Sequence, residues 1–175
     1  VNTPVIAEDL FATILELAGV RNPEVVQEVD GQSLVKLITD GSKVAAKAMA
    51  EGKIASQAEA NRLVIGADVS GIDPERPLVL HYPHKWKPYD LVDIDFLSAV
   101  RKGDWKLVYR MQSGELELYD LANDIGEQRN LAAEQPGKVK ELAAELGGKL
   151  RGWKAPMPTV RRTGKPVAMP DELLK

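Results

Sequence analysis

Two histidines, His81 and His84, flank Tyr82-Pro83, and Lys85 and Trp86 follow directly. This short stretch concentrates two imidazoles, an ammonium and an indole beside a proline-stiffened backbone. Imidazolium and ammonium groups pair with anions through charge-assisted hydrogen bonds, and an indole offers a flat apolar face. His81, His84, Lys85 and Trp86 are therefore the candidate substrate-binding group. The plainer reading is a strand end whose histidines satisfy buried polar groups and whose tryptophan packs in an interface. Zinc fits poorly, because two histidines bring no third ligand and stand in no H-E-x-x-H helix. Asp93-Ile-Asp95 is too short for a calcium loop, which needs several oxygen donors at fixed spacing. A further basic set, Arg101, Lys102, Lys106 and Arg110, does not make one surface. Strand alternation separates Arg101 from Lys102, and Arg101 suits an ion pair at a domain seam. With no cysteine in the chain, disulfides, thiolate metal sites and a cysteine nucleophile are excluded.

The bulk properties are those of an ordinary globular chain: 44% hydrophobic and 28% charged over 175 residues. A formal net charge of -3 gives no general basic field for nucleic acid and no polybasic surface for membranes. No apolar run is long enough to span a bilayer; no signal peptide is expected in a fragment, even one of an exported parent.

The periodicity predicts what must hold the candidate group in place. Leu10, Phe11, Ile14, Leu15 and Ala18 recur at helical spacing, predicting a helix over 7–18 stopped at Gly19. Asp30-Gly31 is a turn pair, and a short helix follows from Ser33 to about Thr39, capped by Ser33 or by Asp30. Residues 41–67 are rich in alanine and charge and predict two exposed helices broken near Gly52. From Leu78 the period becomes that of strands: Leu78–Tyr82, Phe96–Lys102, Trp105–Met111 and Glu115–Tyr119. Gly103-Asp104 and Gln112-Ser113-Gly114 suit tight hairpin turns. Trp105, Leu107 and Tyr109 share one face and read as core. The sheet's cover is a helix over Pro136–Trp153, striped by Val139, Leu142, Leu146, Leu150 and Trp153, with glycines weakening its last turns. After Ala155 four prolines predict an extended strap.

Four stretches, taken in order, resemble the C-terminal region of the formylglycine-dependent sulfatases, in the alkaline-phosphatase-like superfamily. They are the run from Thr3 through Asp9 and Thr13 to Gly19; Asp30-Gly31-Gln32-Ser33-Leu34; Leu80-His81-Tyr82-Pro83-His84-Lys85-Trp86; and Ala99 to Leu107 continued by Glu117-Leu118-Tyr119-Asp120-Leu121 and Asp124 to Leu131. Each piece alone is unspecific; the ordered set covers most of residues 3–155. The family often has proline where Ile125 stands.

The resemblance implies an α/β (α+β) fragment: edge helices of an alkaline-phosphatase-like domain plus a small four-stranded antiparallel sheet packed by a C-terminal helix. Residues 1–40 would end the catalytic domain, 41–76 would be a helical insertion and loop, 77–155 the C-terminal subdomain, and 156–175 an extended tail. It implies a parent that hydrolyses sulfate esters of small molecules or sugars and is exported to a periplasmic, extracellular or lysosomal space. The loop His81–Trp86 would then meet a sulfated sugar from the C-terminal side. Calcium and formylglycine are implied for the parent, from motifs upstream of the first matched stretch; no serine here stands in an S-x-P-S-R context. The catalytic set in this chain is accordingly none, the metal set none, and the isolated chain is expected to be inactive. Self-association through an exposed helix 7–18 is expected, and nucleic acid or membrane partners are not. For Asp9 and Thr13 a structural role is expected, and for Glu127 and Asn130 turn and capping roles. The alternatives are a related phosphodiesterase or phosphonate hydrolase, or a freestanding carbohydrate-binding or interaction module.

Overall fold

The computed structural model describes residues 3–21, 24, 29–66, 71–73, 75–85 and 96–174, the side chains of 57, 61 and 64–66 excepted. It forms two compact units, Val1–Pro74 and Glu75–Lys175. Trp86 and the pair Asp93 and Asp95 lie outside the described residues.

In the first unit α1, Glu8–Leu17, forms where the helical spacing predicted it. The chain leaves it at Gly19, whose φ of 70° no branched side chain would accept readily. Val20 N donates to Leu15 O at 3.0 Å, closing the C-terminal turn. The buried side of α1 is its polar one. Asp9 is fully buried, its Oδ2 accepting from Ile6 N at 2.9 Å and its Oδ1 from Gln32 N at 2.8 Å. Thr13 Oγ1 donates to Asp9 O at 2.6 Å and accepts from Leu34 N at 2.9 Å. These bonds fasten the Asp-Gly-Gln-Ser-Leu turn onto the helix. Gly31 lies so close to the carbonyl of Glu8 that any Cβ would overlap it. The motif is thus explained by a packing requirement at Gly31 and two backbone amides handed to α1. The apolar stripe of Leu10, Phe11, Ile14 and Leu17 is left exposed.

The helix expected to end near Thr39 instead continues. Residues 35–50 run as one helical stretch, with a π-helical turn at Leu37–Gly41 leading into α2, Ser42–Ala50. Gly41 is a plausible stop by type, but it takes ordinary right-handed angles (φ -59°, ψ -42°) and is buried, so nothing terminates the helix there. Leu37 packs with Ile72 in a small cluster. The α3 helix, Gln57–Gly66, opens on a reciprocal cap. Glu59 N donates to Ser56 Oγ at 3.2 Å, and Glu59 Oε2 accepts from Ser56 N at 3.2 Å and Ala55 N at 2.7 Å. Those backbone donors, Ala55 first, lower the Glu59 pKa.

The second unit is a meander: β1 (Leu78–Tyr82), β2 (Leu97–Lys102), β3 (Trp105–Arg110) and β4 (Glu115–Asp120), each antiparallel to the next. Gly103-Asp104 makes the two-residue turn with Gly103 at φ 57°. The register Val79↔Val100↔Leu107↔Leu118 puts these residues on one face. Over it lies α4, Pro136–Gly152, presenting Val139, Leu142, Ala143, Leu146 and Leu150 to Val100, Leu107, Tyr109 and Leu118. Each fully buried leucine contributes about 1.5–3 kcal/mol relative to exposure, so this seam holds the unit. Trp153 departs from the predicted stripe: it is 44% exposed, with Lys149 Nζ 5.9 Å from its ring centre. The chain has left the helix by Trp153, so the stripe ends at Leu150.

The tail is a strap that folds back. Tyr109 hydroxyl donates to Ala168 O at 2.7 Å, Thr159 and Pro166 pair as a β-bridge, and a 3-10 turn spans Pro170–Leu174. Arg151 donates to both carboxylate oxygens of Asp171, at 3.0 and 2.8 Å.

Candidate functional site

The strand β1 carries the candidate group, and alternation divides it. His81 lies on the helix-covered face with Val79 and Ser98, whereas Tyr82 lies on the other. Both ring nitrogens of His81 are engaged, Nδ1 with Ser98 Oγ at 2.7 Å and Nε2 with Pro156 O at 2.9 Å. A carbonyl can only accept, so Nε2 donates to Pro156 O, while Nδ1 and the Ser98 hydroxyl share the second bond. His81 therefore ties the strap to the sheet. His84 is exposed, its ring 4.2 Å from that of Tyr82 and tilted by 42°. Lys85 is exposed beside it. Phe96, on the far side of the connection, donates from its N to His84 O at 3.4 Å, closing the loop's base. Phe96 has φ 55°, so β2 begins one residue later than alternation suggested.

The face opposite α4 forms an open groove of about 430 Å³. Its floor is Leu80, Leu97, Ala99 and Val108, with Leu80 65% exposed. Its rim is charged but matched. Lys106 Nζ donates to both oxygens of Glu127 at 2.7 and 2.8 Å, and Arg110 Nε to Glu117 at 2.7 Å. Tyr119 donates to Glu117 at 3.2 Å, and burial, then the Glu117 carboxylate, raises its pKa. With each cation neutralised, this groove favours packing over anion capture. Arg101 Nε donates to Gly103 O at 3.1 Å.

Glu127 and Asn130 act on backbone and sheet. Glu127, at φ 53°, holds Lys106, and Asn130 Oδ1 accepts from Leu118 N at 3.1 Å and Ala132 N at 2.9 Å. The 124–131 segment is thus laced to β3 and β4. Among the described residues no three His, Asp or Glu side chains converge as a metal site. The calcium implied by the resemblance finds no ligand set in them. None of the described helices is long and apolar enough to cross a membrane.

What sequence reasoning passed over is the strap's charge. Residues 154–168 hold Lys154, Arg161, Arg162 and Lys165 and none of the chain's 26 acidic residues. That imbalance was visible, but an extended tail gave it no geometry.

The chain is mixed α/β, with helices in the first unit and, in the second, a four-stranded antiparallel meander packed by one following helix. A solved protein in complex with its substrate, D-glucosamine-2-N,6-O-disulfate, matches 83% of this chain at 22% identity and a TM-score of 0.50, over 24% of its own length. A Bacteroides thetaiotaomicron crystal structure described as a candidate sulfatase matches 93% at 19% identity and the same score, over 29% of its length. By sequence, a sulfatase of Formosa agariphila is 30% identical over 151 residues, 83% of this chain and 22% of that protein. The uncharacterised sulfatase YdeN of Escherichia coli is 39% identical over 61 residues, 35% of this chain and 10% of its own. No family model matches the chain. The chain spans about a fifth or less of these curated relatives. It is a homologue of the sulfatases and corresponds to their C-terminal portion.

Proposed function

We propose that the whole protein hydrolyses sulfate esters and that this segment shapes one wall of its substrate pocket, with His84 and Lys85 toward a sulfated sugar. The observation that carries the reading is the 30% identity to a named sulfatase across 83% of the chain. A sulfated sugar is favoured as substrate because a structural relative was solved with a disulfated glucosamine as its substrate. The curated relatives named sulfatases favour sulfate over the phosphodiester or phosphonate alternatives. His81, with both nitrogens engaged, fixes the strand end from which the group projects. The tilted contact of His84 on Tyr82 holds the imidazole at the exposed edge without consuming its nitrogens. Formylglycine and calcium supply the nucleophile and counter-charge in this family and would come from residues outside this chain, which has no cysteine.

The test is a pair of variants in the whole protein. His84→Ala should lower kcat/KM on a sulfated sugar by a factor corresponding to about 1–3 kcal/mol, the loss of one charge-assisted hydrogen bond. His81→Ala should lower the melting temperature and alter kcat/KM per folded molecule less than His84→Ala does. Wild-type kinetics for both His84→Ala and Lys85→Ala would retire the pocket role and leave this stretch as packing.

A further inference from the structure

Beyond the loop around His84, the strap carries a second, independent feature. Its turn is built to be stiff: Val160 N donates to Lys165 O at 2.8 Å, Gly164 N to Val160 O at 2.8 Å, and Val167 N to Pro158 O at 2.9 Å. Pro158 and Pro166 bound it, and Gly164 supplies the positive φ of 66° that closes the tip. On that tip Arg161, Arg162 and Lys165 are all exposed. Among the described residues none of the three has an ion-pair partner; the nearest acidic residue along the chain, Asp171, is held by Arg151. A chain of net charge -3 thus keeps three unmatched cations on one rigid turn. Guanidinium forks carried on such a turn favour multi-oxygen anions such as sulfate and carboxylate.

The turn also sits at the loop's end of the sheet. Pro156, just before it, is bonded to His81. Pro158, Val160 and Val167 line a cleft of about 250 Å³ with Phe96 and Met111. Phe96 is in turn bonded to the backbone of His84. A small apolar cleft therefore lies between the His84 backbone and the basic tip, a pairing of apolar face and positive charge suited to one sugar ring and its anionic substituent.

We infer that the hairpin 159–166 is an additional glycan-binding element: Arg161, Arg162 and Lys165 take the sulfate or carboxylate groups of a sulfated polysaccharide, on residues flanking the sugar placed at His84. This rests on the sulfated-sugar reading above for the identity of the ligand, but its first test does not depend on activity. In affinity electrophoresis of the 175-residue chain, heparin should retard migration and neutral dextran should not. The triple variant Arg161→Ala, Arg162→Ala, Lys165→Ala should melt like wild type yet bind heparin about tenfold or more weakly, with a shallower salt dependence. Arg161→Lys with Arg162→Lys, which keeps the charge but loses the guanidinium fork, should bind heparin between wild type and the triple variant. In the whole protein, the triple variant should lose kcat/KM on a sulfated oligosaccharide and keep it on a small aryl sulfate.

Unchanged heparin binding by the triple variant would overturn the assignment. So would single-stranded DNA retarding the chain as strongly as heparin, because the tip would then be a general polyanion site. An equal loss on both substrates would also overturn it, since the hairpin would be acting on the reaction centre. Heparin binding lost with the triple variant, in a whole protein that cleaves no sulfate ester, would leave the hairpin standing and remove the hydrolase reading instead.

Discussion

Adjacent glycines on α4 should respond to the same substitution with opposite signs. Gly148 is exposed, and a methyl group added there would meet nothing within 4 Å, whereas Gly147 is buried and faces Asp171. Alanine is favoured over glycine in a helix interior by about 1 kcal/mol, so Gly148→Ala should stabilise by about that amount. A Cβ at Gly147 would overlap Asp171 Oδ1, lie 2.9 Å from its Cγ and 3.2 Å from Arg151 Nη2. Overpacking of this kind costs about 1–3 kcal/mol. Loss of the Arg151–Asp171 pair adds little, because both side chains are partly exposed. Set against the helix gain of about 1 kcal/mol, Gly147→Ala should destabilise by up to about 2 kcal/mol. Urea unfolding followed by tryptophan fluorescence reads both variants, since Trp105 and Trp153 belong to this unit. In an Asp171→Gly background the penalty should vanish and Gly147→Ala should become stabilising. Equal stabilisation by the two alanines in the wild-type background would refute the packing of the tail on α4.

Asn130→Ala should cost about 1–2 kcal/mol, because its side chain serves the amides of Leu118 and Ala132, and Asn130→Asp should recover most of it in the same melts. The exposed stripe Leu10, Phe11, Ile14 and Leu17 should drive self-association of the isolated chain, and Ile14→Glu should shift light scattering toward the monomer. Asp124 is held below its ordinary value of 3.8 by backbone hydrogen bonds from Gln128 and then Arg129. A depressed carboxylate stabilises fully above its unfolded value and loses that contribution as pH falls through the folded one. Protection of the Gln128 and Arg129 amides should therefore persist down to about pH 4 and fall only below it, and its loss above that pH would count against the bonds to Asp124.

The β-meander was readable because each strand alternates and each turn carries glycine, and α4 because its stripe is regular as far as Leu150. Trp153 was misplaced because spacing alone does not show where a helix frays. The continuation through Gly41 was hidden for a related reason: a glycine stops a helix only when it turns left-handed, and this one is buried instead. Helix α1 shows the limit most clearly. Its apolar spacing was read correctly as a helix, yet the residues it buries here are Asp9 and Thr13, chosen by the amides they satisfy. In the candidate site, the types at His81 and His84 suggested equivalent roles. The pleat and the returning strap separated them, and a partner 75 residues away cannot be read from local pattern.

That distance has a consequence for the order in which this unit assembles. The meander joins strands that are neighbours in sequence, and α4 follows them directly, so its contacts require little loop closure. The strap's bonds, His81 to Pro156 and Tyr109 to Ala168, reach back across 75 and 59 residues. Closing such long loops adds entropy that nearby contacts do not incur. Sheet and helix should therefore form first and the strap should latch last, a final step that brings the basic turn and the His81 strand end into register together.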